Sequence, residues 1–175
     1  MDANSLQSLM PNPRSSQVTL PTDREIVIKR SFDAPRTAVF EAWTNPEHVA
    51  CWWDPSGRPL AVCEIDLRPN GAFRWVNRAS DGSEGHLFSG IYREISPPER
   101  LVFTVRMFLH SPEPVGTVVF TEDGKKTNLT LRIECASNKD RDALLQMRID
   151  AGTTQTLENL AAYLTKITEF EQQVE

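Results

Sequence analysis

At 175 residues the chain is long enough to bury one hydrophobic core, and a single domain is the expectation. Its 39% hydrophobic and 25% charged residues describe an ordinary globular protein, and a net charge of −5 removes the attraction that nucleic acid or an anionic lipid surface would need. No run approaches the roughly 18 apolar residues of a spanning helix, no signal-peptide pattern opens the chain, and Cys51, Cys63 and Cys135 stand at unrelated spacings, so the reading is a reduced, cytoplasmic protein without a disulfide framework.

Residues 1–22 hold Asn, Ser, Gln and the prolines Pro11, Pro13 and Pro21. So little apolar surface cannot offset the entropy of ordering, which predicts a disordered N-terminal arm followed by one domain over residues 23–170. From Arg24 to Phe32, Ile26 and Ile28 alternate with Val27 and Lys29, the period of a strand with one buried face. Asp33-Ala34-Pro35 stops this strand and starts a helix, with Asp33 or Ala34 at the cap and Pro35 in the first turn, where its missing N–H costs nothing. Val39, Phe40 and Trp43 give that helix an apolar stripe. Thr44-Asn45-Pro46 ends it, and a second short helix runs from Glu47 to about Trp52.

Six strands are then predicted: Leu60–Leu67, Ala72–Arg78, Gly85–Ile95, Leu101–Leu109, Gly116–Thr121 and Thr127–Cys135. Turn residues separate them at Asn70-Gly71, Asp81-Gly82, Pro97-Pro98 and, most tightly, Asp123-Gly124. Connections this short make consecutive strands antiparallel neighbours. Asp140 to Ile167 is 28 residues without a proline. Leu157, Leu160, Leu164 and Ile167 fall on one face of a helix there, with Ser137 or Asn138 as its cap. Such a helix is about 42 Å long at roughly 1.5 Å per residue, and it needs a broad sheet to lie on. The predicted architecture is α+β: a seven-stranded curved antiparallel sheet, two short helices between strands 1 and 2, and a long C-terminal helix packed across the sheet.

An ordered set of motifs runs through these elements. It comprises Asp33-Ala34-Pro35, Val39-Phe40-x-Ala42-Trp43-Thr44-x-Pro46-Glu47, Trp52-Trp53-x-Pro55, Asp66-Leu67-Arg68-Pro69-x-Gly71 and Gly90-x-Tyr92. It continues with Pro97-Pro98-Glu99-Arg100-Leu101-Val102-Phe103-Thr104, Val119-Phe120-Thr121-Glu122 and Leu157-x-x-Leu160-x-x-Tyr163-Leu164. Over residues 24–167 this set resembles the helix-grip domains of the START/Bet v 1-like (SRPBCC) superfamily. Within it, the resemblance is to proteins related to the C-terminal domain of the heat-shock protein 90 ATPase activator. The resemblance implies a cavity between the concave sheet face and the long helix. It leaves the role open, because this fold hosts hydrophobic-ligand carriers, polyketide cyclases, sequestering resistance proteins and co-chaperone domains. Many relatives carry a Trp directly after the glycine of the last helix, where this chain reads Gly152-Thr153. The smaller side chain implies room for a ligand beside Thr153 and Thr156.

The expected cavity residues are Trp53, Phe73, Trp75, His86, Tyr92, Phe103, Phe120, Thr153 and Thr156. The aromatics would supply apolar walls, Tyr92 a polar tip, and Trp75 an N–H that wants a partner when buried, although each aromatic equally suits plain core filling. His86, beside Gly85 at the start of a strand, is the one histidine expected near a cavity mouth. No neighbour in sequence makes it a general acid or base. Asp66, Arg74, Arg106 and Arg132 read as cross-strand pairs on the sheet surface, with Arg74 or Arg106 a carboxylate clamp if buried. His48 and Cys51, three apart on a short helix, are two ligands where zinc needs more. The cysteines lack an adjacent base, and inert packing is expected of them. The reading is therefore binding of a small hydrophobic or amphipathic ligand, without cofactor or metal, leaning away from an enzyme. A chaperone-associated interaction module is the alternative, and a cyclase or lyase using the same cavity a further one. Neither nucleic acid nor membrane is an expected partner, and a homodimer is compatible with everything above.

Overall fold

The computed structural model describes residues 15–107 and 110–174. Its elements in chain order are β1 (Gln17–Thr19), β2 (Glu25–Phe32), α1 (Arg36–Thr44), α2 (Pro46–Trp52), β3 (Val62–Ile65), β4 (Ala72–Arg78), β5 (Glu84–Ser96) and β6 (Arg100–Thr104). Then come β7 (Val115–Asp123), β8 (Lys126–Glu134), α3 (Asn138–Gln146) and α4 (Ile149–Val174). The strands form one open antiparallel sheet in the order β1-β2-β8-β7-β6-β5-β4-β3. The six later strands are neighbours in sequence order, as hairpin-length loops require, and β2 closes against β8 with Ile26 opposite Ile133 and Ile28 opposite Leu131. The β7–β8 turn is the Asp123-Gly124 hairpin: Asp123 faces Lys126, and Gly124 takes a φ of 61° that a side chain would resist. Bulges between Val76 and Arg78 and between Tyr92 and Glu94 bend the β4–β5–β6 side of the sheet.

Among the described residues the sheet has eight strands, not the seven expected. The additional one is β1, which lies within the segment read as an arm and pairs with β2 from Gln17 opposite Lys29 to Thr19 opposite Val27. All three of its residues are exposed. Edge pairing is made by backbone groups, so a count of apolar side chains does not register it. Residues 1–14 of the predicted arm lie outside the described residues.

The single 28-residue helix also requires correction, because it is two helices. Ser137 caps α3 by accepting from the Asp140 N–H at 3.1 Å. The helix ends where Met147 and Arg148 donate their backbone N–H groups to Ala143 and Leu145. Arg148 sits in the left-handed region with φ 57°, and α4 starts directly after it. A non-glycine residue held there costs about 1 kcal/mol or more. Neither Gly nor Pro marks the break, so composition could not foretell it. The other boundary changes are small. Pro35 itself is the N-cap of α1, and Asn45 caps α2 through the Glu47 N–H at 3.0 Å. β6 stops at Thr104 rather than Leu109, and Leu109 lies outside the described residues.

The core lies between the inner sheet face and the helices. Ile26, Ile28, Phe32, Leu101, Val118, Phe120, Leu129 and Leu131 meet Val39, Phe40, Trp43, Val49 and Trp52 of α1 and α2, and Leu157, Leu160 and Leu164 of α4. Among the described residues no helix is long and apolar enough to cross a membrane.

Candidate functional site

The inner face is not completely filled. A cavity of about 220 Å³ remains between β4–β8 and the first two turns of α4. One water needs roughly 15 Å³ by such a measure, so the space suits a small molecule. Its wall is a run of rings. Trp53, at the end of α2, lies 4.3 Å from Trp75 between ring centroids and meets Phe88 edge-on at 6.4 Å. Trp75 lies 4.5 Å from Phe73, which meets Phe103 edge-on at 5.9 Å. Val105, Met107, Leu131 and Ile133 extend the apolar wall, and Gly152, Thr153, Thr156 and Leu157 form the α4 side. The exposed lining residues, Pro55, Met147 and Arg148, mark the mouth.

Two polar anchors hold α4 against this wall. The Thr156 hydroxyl lies 3.1 Å from the Trp53 carbonyl and 2.9 Å from that of Gly152, one proton serving two acceptors. Asn159 donates its amide to the Asp54 carbonyl at 2.8 Å. Both fix the turn after α2, and with it Trp53, relative to α4. Trp75 is 3% exposed and its indole N–H is buried without a partner. A donor in that state carries a desolvation cost of about 1–3 kcal/mol until an acceptor meets it.

Of the residues expected at the cavity, Trp53, Phe73, Trp75, Phe103, Thr153 and Thr156 line it, and three do not. Tyr92 is 2% exposed and packs behind the wall, against Phe73 at 5.4 Å and Phe103 at 6.4 Å. Burial, and secondarily Cys63, pushes its phenol well above the ordinary range, so it stays neutral. Phe120 sits deeper, edge-on to Phe40 at 5.4 Å and Trp43 at 6.1 Å. His86 is an exposed residue of β5 and lies outside the lining. Phe88 was missed although it alternates with Gly90 and Tyr92 along β5, and Val105, Met107, Leu131 and Ile133 follow from the same period-two pattern. Met147, Arg148 and Ile149 had no such signal, because the break that brings them to the mouth is a tertiary feature.

Arg74 and Arg132 make the expected cross-strand pairs, whereas Arg106 and Asp66 are paired locally, outside the strands. Arg74 is directly opposite Glu64 across the β3–β4 pair, 3.7 Å away, and Arg106 holds Glu113 at 2.7 Å. Arg132 pairs with Glu25 across β8 and β2, and Arg68 holds Asp66 at 2.8 Å. The buried arginine is instead Arg30 of β2, its side chain 5% exposed and paired to Glu158 of α4. His48 meets the Tyr163 hydroxyl through Nδ1, away from the cavity, and burial raises the Tyr163 phenol's pKa. Burial, then the nearby Cys51 and Glu64, pushes the Cys63 thiol up to about 12, so it is not a thiolate at neutral pH. Cys51 is exposed rather than buried. No group of three or more metal-ligating side chains occurs among the described residues.

The wall placement also sets a stability expectation. Trp75→Ala should cost about 2 kcal/mol, below the roughly 3–5 kcal/mol of a fully packed tryptophan, because part of its surroundings is already empty. A thermal melt measures this, and a loss at or above that range would mean that the indole is packed on all sides.

A family model described as Activator of Hsp90 ATPase homolog 1-like protein matches residues 33–165. No curated protein matches the chain. Among solved structures, a protein from Nitrosomonas europaea is similar at 22% identity and TM-score 0.75, covering 86% of this chain and 99% of its own. A protein from Rhodobacter sphaeroides matches at 20% identity and TM-score 0.78, covering 87% and 99%. One from Chromobacterium violaceum matches at 28% identity and TM-score 0.64, covering 79% and 95%.

Proposed function

The chain belongs to the Activator of Hsp90 ATPase homolog 1-like family, and from that premise we propose that it binds a small hydrophobic or amphipathic molecule between its sheet and α4. The observation that carries this reading is the ring-lined cavity itself. Empty core volume costs roughly 24 cal/mol per Å³, so a closed void of this size would forgo about 5 kcal/mol, and less where it opens to solvent. Apolar walls with a few placed polar groups are the usual chemistry of a small-molecule site. The exposed thiol of Cys51 and the unpaired Cys63 and Cys135 agree with a reducing, cytoplasmic setting.

Filling the cavity tests the proposal. Thr153→Trp places a large ring at the lining position on α4, where space is available. Binding of the fluorescent neutral probe phenylnaphthylamine is expected to fall by about tenfold or more, while the thermal midpoint stays level or rises by a few degrees, as cavity filling does. Undiminished probe binding by this variant would overturn the proposal. Native mass spectrometry of protein purified from its own host would then identify the occupant.

The family's description makes a chaperone-associated role the second reading. A rise in the ATPase rate of a heat-shock protein 90 on adding this protein would favour it over the ligand-binding one.

A further inference from the structure

We infer that the ligand is an acidic amphiphile, a planar apolar body with one oxyanion group, whose head is held by Arg148 at the cavity mouth. This rests on the ligand-binding reading above and narrows its chemistry.

Arg148 is the one charged residue in the lining among the described residues, and no carboxylate lines the cavity with it. Arg30, Arg36, Arg74, Arg106 and Arg132 each hold a carboxylate. Arg148 makes no ion pair or side-chain hydrogen bond among the described residues. Its guanidinium is a planar fork of donors that matches carboxylate, sulfonate or phosphate oxygens. Its backbone φ of 57° belongs to a glycine or asparagine at the end of a helix. The chain holds an arginine there against that preference, so the side chain has a use that the turn does not supply.

The start of α4 adds to this charge at the mouth. The Gly152 N–H donates to the Arg148 carbonyl, so the preceding N–H groups of α4's first turn have no partner within the helix and its positive end lies at the mouth. Asp150, the acidic residue of that turn, has one carboxylate oxygen buried without a partner and offsets part of that positive end, but it is not among the lining residues, so the anion contact falls to Arg148. The lining thus offers a cationic fork at the mouth, with tilted and edge-on aromatic rings behind it.

Two dyes with the same aromatic body separate the charge from the fit: anilinonaphthalene sulfonate and neutral phenylnaphthylamine, titrated into the full chain by fluorescence. The wild type should bind the sulfonate about tenfold tighter, with the preference shrinking as salt rises. Arg148→Gly removes the guanidinium and relaxes the left-handed turn. Its thermal midpoint should therefore not fall, while sulfonate affinity drops about tenfold, to that of the neutral dye. Arg148→Lys should keep part of the preference, since charge remains without the fork. Equal binding of the two dyes by the wild type, or a preference that survives Arg148→Gly, overturns this inference and leaves the ligand-binding reading standing. If Arg148→Gly weakens both dyes alike, Arg148 shapes the wall rather than holding a head group, which also overturns it. Binding of neither dye to the wild type overturns both.

Discussion

Gly90→Ala is expected to cost about 4 kcal/mol or more, a large share of the roughly 5–15 kcal/mol that holds a domain folded. The added methyl would stand 1.9 Å from the Thr104 carbonyl oxygen and 2.5 Å from the Phe73 ring. Neither neighbour yields cheaply. The carbonyl belongs to β6, whose Thr104 pairs with Val115 of β7, so it moves only if the strands move. The Phe73 ring is confined by Trp75, Tyr92 and Phe103. The variant must therefore part β5 from β6 at the centre of the cavity wall. Urea unfolding against wild type measures this, and a loss below about 1 kcal/mol would show that the two strands can slide apart freely. Gly90 is thus the residue that lets β5 pass close enough to β6 for Phe73, Trp75 and Phe103 to form one wall.

The second large effect is expected at the pair joining the sheet to α4. Glu158→Ala should cost about 3 kcal/mol, because it strands the Arg30 guanidinium in the core with its side chain 5% exposed. The lower end of the range for a broken buried pair applies, since Glu158 is 43% exposed and water already screens part of the interaction. Arg30 has little else to turn to: its Nε is buried without a partner, and the Phe32 ring lies 5.9 Å away. The double variant Arg30→Met with Glu158→Leu should recover to within about 1 kcal/mol of wild type, because apolar replacements remove the desolvation cost along with the attraction. Denaturant melts of the single and double variants form the cycle. If Glu158→Ala alone is neutral, water reaches Arg30 and the pair contributes nothing to docking α4.

The antiparallel order of the last six strands, the inward faces of β4 and β8 and the aliphatic face of α4 were all legible, because period two and period 3.6 are properties of the chain itself. Alternation marked Phe73, Trp75 and Phe103, and the family resemblance added Trp53, Thr153 and Thr156; the fold brings all six to one cavity. Neither signal could tell a ring at the cavity wall from one behind it. Tyr92 and Phe120 alternate as correctly as Phe73 does, yet they are covered by it and by Trp43. That distinction is one of depth, and alternation reports only which side of a strand a residue is on.

Arg30 shows a further limit. It lies on the same strand face as Ile26, Ile28 and Phe32, and its burial becomes visible only when Glu158, 128 positions later, is placed opposite it. β1 and the break at Arg148 escaped for a related reason. An edge strand is made by backbone hydrogen bonds, and a left-handed arginine by the packing on either side of it.

By itself, then, the sequence determined the order of elements and their inward faces, because local periodicity and turn chemistry act over a few residues, and its ordered motifs carried the resemblance to the family. Only the tertiary structure decided which aromatic rings bound empty space, which arginine is buried and which one stands at the cavity mouth. Those outcomes depend on side chains far apart in the chain competing for the same volume, and no short stretch of sequence contains both competitors.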